Sequence, residues 1–133
     1  MVVQRWWHVT ARGDSIPQGN VIARFNPAAT DRILYLAHWD TRPRTDGPGV
    51  RDTSGLVPGA NDAGSGVAVL LGVMDALQKQ RPTIGVDLLF VDGEDYGHFG
   101  SPPGPDVLIG SRYYARNPVT TDKPRFAVLF DMV

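Results

Sequence analysis

Three apolar runs of strand length, each breaking off into acidic or histidine residues, constrain this chain more than any other feature. Residues 33–37 end at His38-Trp39-Asp40, residues 86–91 at Asp92-Gly93-Glu94-Asp95, and residues 127–130 at Asp131. Unbroken apolar runs of this length suit strands buried on both faces, as in a parallel sheet. Between the first two, Val67, Leu70, Leu71, Met74 and Leu77 recur at helical spacing. That spacing predicts an amphipathic helix over Gly64–Lys79, with Pro82 just past its end. Ile109–Arg116 reads as a short helix ahead of Pro118. Strand, helix, strand, helix, strand predicts an α/β fold: a mixed, mostly parallel sheet flanked by helices. Residues 6–10 and 20–25 read as an antiparallel pair at its edge, joined through residues 13–19.

Composition narrows the class. Thirteen Lys and Arg against fourteen Asp and Glu leave a net charge of −1, which argues against a nucleic-acid binder and gives no polybasic membrane patch. With no cysteine there is no disulfide framework, no thiolate nucleophile and no cysteine zinc finger. The 133 residues suit one domain, and 42% hydrophobic content suits a globular one. No apolar run approaches the ~20 residues of a membrane span. The opening residues carry no secretion signal and read as a strand under way, so the chain is expected to begin inside a larger domain. Gly and Pro concentrate at residues 43–59 and 98–105, where long loops are expected to carry function. Arg12-Gly13-Asp14 is expected to be a tight turn, and His98 a solvent-facing loop residue. Trp6 and Trp7 are adjacent, so one should face the core and the other the surface.

Ligands of open α/β sheets bind outside the carboxyl ends of the strands. Three adjacent strands would bring His38, Asp40, Glu94, Asp95 and Asp131 to one crevice, with Asp62 joining from the turn before the long helix. Taken singly, an Asp after a strand is usually a turn residue or helix cap, and a lone His a satisfied one. Together, several acids and one His at one sheet end repel unless a cation or protons compensate. The set suits zinc or another divalent ion. His38 and Asp40 share one side of an extended segment, so Asp40 can orient the imidazole through its far nitrogen. Glu94 and Asp95 are consecutive and point differently. One can bind metal while the other faces the reacting atoms.

His38-Trp39-Asp40-Thr41, Gly59-Ala60-Asn61-Asp62, Asp92-Gly93-Glu94-Asp95 and Phe130-Asp131-Met132-Val133 resemble, in order, metallopeptidase family 28. This family holds bacterial-type zinc aminopeptidases and animal-type glutaminyl cyclases. The resemblance implies a zinc-exopeptidase-like α/β/α sandwich, of which residues 1–133 form a single partial catalytic domain. It implies that His38 is the ligand of a second metal position and that Asp40 orients it. Asp62 resembles the carboxylate that bridges two zincs or binds the only one, and Glu94 resembles the general base. Asp95 resembles the ligand of the first metal position, where many aminopeptidases have Glu. Asp131 resembles the second-position ligand, or the active-site acid in the cyclases.

The two activities differ in metal count. An aminopeptidase would use two zincs, with Glu94 activating a water. A cyclase would use one, with Glu94 passing a proton from the substrate's α-amine to departing ammonia. The stretch 96–105, followed by Asp106 ahead of Gly110-Ser111-Arg112, resembles the cyclases, as do Asn20-Val21-Ile22-Ala23 and Phe25-Asn26-Pro27. Either way the partner is a peptide or protein N-terminus. Family analogy points to a secreted or periplasmic protein, and oligomeric state is unreadable. A further metal-binding His is implied beyond Asp131, for which His8 is a poor substitute. The 133 residues alone are therefore expected to bind zinc weakly and to be nearly inactive. A fragment or non-catalytic module with a degenerate site is the remaining alternative.

Overall fold

The computed structural model describes residues 1–133 apart from Pro48 and Ser101. The elements run β1 (Val2–Val9), β2 (Ser15–Phe25), β3 (Arg32–His38), α1 (Gly64–Lys79), β4 (Gly85–Val91), α2 (Ile109–Arg116) and β5 (Ala127–Leu129). They form one five-stranded sheet in the order β1-β2-β4-β3-β5. β3 pairs parallel with both β4 and β5, while β2 pairs antiparallel with β1 and β4. The sheet is therefore mixed, with the antiparallel pair at one edge.

Every residue of β4 is buried, because side chains alternate between two covered faces. Val86, Leu88 and Phe90 join Leu70 of α1, with Val67, Val73, Met74 and Leu77 packed around them. Leu89 and Val91 join Ile22 and Leu34 on the opposite face, against Tyr114 of α2 and Val119. One helix on each face makes the three-layer sandwich. Leu71 shares the apolar spacing yet is 52% exposed. It follows Leu70 by about 100° of helix rotation, which carries it off the stripe that meets the sheet. α1 also sits unusually close to the strands. A Cβ on Gly66 would lie 2.4 Å from the Phe130 carbonyl oxygen.

The β1–β2 connection is shorter than the sequence suggests. The turn is residues 10–14, closed by Thr10 N–H to Asp14 O (2.8 Å) and Gly13 N–H to Thr10 O (2.9 Å). Ser15 to Gly19 already belong to β2. Pro17 is tolerated there because β4 pairs with β2 only from Val21 onward, so that stretch has a single neighbour. Arg12-Gly13-Asp14 is a turn, as expected. Trp6 stacks on Tyr113 of α2 with ring centroids 3.9 Å apart, while Trp7 is 69% exposed. At the end of the sheet away from the acids, fully buried Arg32 forms a two-pronged pair with Asp87 (2.6 and 2.9 Å), which compensates its charge.

Candidate metal centre

β3, β4 and β5 all end at the same edge of the sheet. His38 closes β3 and is buried. Asp131 lies just past β5. Phe130 N–H bonds Leu36 O (2.9 Å), and Val133 N–H bonds Ser65 Oγ in the first turn of α1 (3.0 Å). Asp62 comes from the turn that leads into α1. Gly59 supplies the sharp bend there, with φ +68° and Thr41 packed where a Cβ would stand. The result is a group of three ligand atoms, from His38, Asp62 and Asp131, all within 4.8 Å of one another. His38 Nε2 lies 2.8 Å from Asp62 Oδ1 and 3.5 Å from Asp131 Oδ1.

This donor set fits a cation. Both ring nitrogens of His38 are buried, and neither has a hydrogen-bond partner of acceptable geometry. A buried imidazole left this way is costly. A divalent ion taken by Nε2 and the two carboxylates would remove the cost at that nitrogen, and nitrogen with oxygen ligands is the chemistry zinc accepts. Burial disfavours charge on the ring, but Asp40, Glu94 and Asp62 outweigh it and push the imidazole pKa up to about 9. Without a cation the site would hold a proton instead.

Asp40 does more than the sequence implies. Its Oδ1 is 3.5 Å from His38 Nδ1, the outer limit of a hydrogen bond. Its firm bonds run to the acidic loop: Glu94 N–H to Oδ1 and Asp95 N–H to Oδ2, both 3.0 Å. The Glu94 side chain is half-buried, and burial first, then Asp95, Asp40 and Asp131, push its pKa up to about 7 against the pull of His38. A carboxyl with that value both takes and gives protons near neutrality.

Asp95 stands outside the His38–Asp62–Asp131 group. Arg42 Nη1 donates to its Oδ1 at 2.6 Å. Burial pushes the Asp95 carboxyl above its ordinary value, and Arg42 opposes that. Sequence reading had no signal for this pair, whose members lie 53 residues apart. It also missed a strap at the other side of the loop. His8 Nε2 lies 2.9 Å from Asp106 Oδ1, and Ala11 N–H donates to both Asp106 oxygens. His8 is thereby committed away from the metal group. His98 is exposed, 3.5 Å from Asp46. The neck of the loop is closed by main-chain bonds from Leu108, Ile109 and Gly110 N–H to Glu94, Gly93 and Asp92 O (2.8–3.0 Å).

Fold and ligand group define a class: a zinc-exopeptidase-type α/β domain with its site at the carboxyl edge of the parallel strands. The chain belongs to peptidase family M28, whose model matches residues 20–133. It is 31% identical over 117 residues to the glutaminyl-peptide cyclotransferase of Bos taurus, covering 79% of this chain and 30% of that one. It superposes on the glutaminyl cyclase of Bacteroides thetaiotaomicron bound to N-acetylhistamine with a TM-score of 0.86 at 34% identity, covering 99% of this chain and 48% of that chain. A leucine aminopeptidase precursor of the same bacterium gives the same values. The chain thus spans about half the length of these structures and under a third of the bovine protein.

Proposed function

We propose that these residues carry the proton-handling part of a zinc-dependent glutaminyl-peptide cyclotransferase. In that reaction the α-amine of an N-terminal glutamine attacks its own γ-carbonyl, the C–N bond to the side-chain amide breaks, and ammonia leaves a pyroglutamyl peptide. The observation that carries this reading is the long connection after Glu94–Asp95, anchored through Asp106 to His8 and Ala11 ahead of α2. Similarity to glutaminyl cyclases from mammal and bacterium supports it. Glu94 would accept the proton of the α-amine and return it to the departing nitrogen, a double duty suited to a pKa of about 7. By the family resemblance Asp62 and Asp95 would hold the one zinc, which supplies polarisation of the carbonyl when bound, while His38 would keep a proton between Asp62 and Asp131 in place of a second ion. Asp40 keeps Glu94 in place through the two amides. The substrate would be a peptide or protein N-terminus. No helix among the described residues is long and apolar enough to cross a membrane, and family analogy supports a secreted or periplasmic location.

A di-zinc aminopeptidase is the second reading. It is favoured by the His38–Asp62–Asp131 group, which supplies ligands for a second metal position apart from Asp95. The assay needs the sequence carried to the length of its relatives, because the resemblance requires a further His ligand. One zinc, ammonia release from a glutaminyl peptide and no cleavage of a leucyl amide are the expected results. Two zincs with leucyl-amide cleavage would establish the peptidase instead. Glu94→Gln should keep the metal and lose the rate under either reading; a retained rate would remove Glu94 from its role.

A further inference from the structure

The geometry points to Arg42 as a positioning residue: with Asp40 it clasps the acidic loop and sets the orientation in which Asp95 is offered to a cation. The clasp has complementary halves two residues apart. Asp40 takes the donors of the loop, the N–H groups of Glu94 and Asp95. Arg42 serves its acceptors: Nη1 reaches Asp95 O (3.3 Å), Gly97 O (3.0 Å) and Asp95 Oδ1 (2.6 Å). Nε of the same guanidinium is paired with Asp46, so the planar fork is held from both sides. The Arg42 and Asp95 side chains are 22% and 11% exposed, which separates this pair from the loose ion pairs of open surface. With Oδ1 engaged by Arg42, Oδ2 would be the oxygen left free for a cation. Lysine could not reproduce the clasp, because a single ammonium on a flexible stem lacks the fixed directions of the fork.

The link to metal rests on the zinc reading above, so two measurements keep the two ideas apart. The first is amide hydrogen exchange of the metal-free chain. Arg42→Gln should speed exchange at Glu94 and Asp95 by about tenfold or more while β4 amides stay protected, a local opening of the loop. Unchanged exchange at these amides would overturn the clasp. The second is a cobalt(II) titration, on the protein carried to the length of its relatives, followed by visible absorption. Arg42→Gln should weaken cobalt by roughly 10–100-fold, the usual effect of losing a partner of a ligand, and change the band intensity. Arg42→Lys should recover part of both. Equal affinity and an identical band in Arg42→Gln would overturn the orienting role. A wild-type protein of that length that takes no cobalt would overturn the metal reading and with it Asp95 as a ligand, leaving exchange to decide the clasp alone. Should Arg42→Gln not fold, Arg42→Lys carries both measurements, because it keeps the charge and loses the fork.

Discussion

Glu94→Gln should stabilise the metal-free fold near neutral pH, although it removes the carboxyl proposed above to move the proton. Burial and three neighbouring carboxylates lift the folded-state pKa of Glu94 from 4.5 to about 7. The usual carboxylate is lowered on folding; this one is raised, so the sign reverses. Between those two values the unfolded chain has released its proton and the folded chain has kept it. The folded state binds more protons there, so stability falls as pH rises through the window. At about 1.4 kcal/mol per pKa unit, discounted for a side chain that is only half-buried, wild type should lose about 2 kcal/mol between pH 4.5 and 6.5. Glutamine does not titrate and should escape that loss. The assay is urea unfolding in the presence of a chelator, followed by tryptophan fluorescence, for both proteins across this range. His38 does not interfere, because its raised pKa removes stability only as pH climbs from 6.5 to about 9. Asp92, pushed up by burial, contributes equally to the two proteins. Parallel stability curves for wild type and Glu94→Gln would refute the reasoning.

Other substitutions test separate parts. Asp62→Asn should weaken zinc or cobalt by more than ~100-fold, beyond what losing an outer partner does, as read by competition with a chromophoric chelator. Gly66→Ala should cost roughly 1–3 kcal/mol, because the new methyl would meet a main-chain oxygen that β3 already fixes; the urea midpoint should fall with the slope unchanged. A double-mutant cycle on Trp6→Ala and Tyr113→Ala should return a coupling of about 0.5–1.5 kcal/mol from the stacked rings, measured by thermal unfolding, and zero coupling would mean that the stack adds nothing beyond burial.

Much of the frame is legible in the chain because single-residue chemistry repeats at the period of each element. α1 and α2 begin and end where the apolar spacing and the flanking prolines place them. The strands that carry the site are recognised from their unbroken apolar runs, and the meeting of His38, Asp62 and Asp131 follows from all three lying past carboxyl ends or at a helix entry. The start of β2 is not legible, because Pro17 and Gly19 carry turn chemistry that an edge position excuses. The Arg42–Asp95 and His8–Asp106 pairings escape notice for a different reason. Each acts across a long sequence separation on a loop whose path no local pattern encodes.

The closed neck at residues 92–94 and 108–110 makes what hangs from it a ring whose two ends are already joined. A ring of that kind can gain or lose residues at its tip without disturbing its root, since the cost of closing it rises only slowly with length. Glu94 lies at the root; the exposed Phe99 and His98 lie farther out. The tip can thus vary in length and sequence in descendants of this chain while the root keeps Glu94 where it stands.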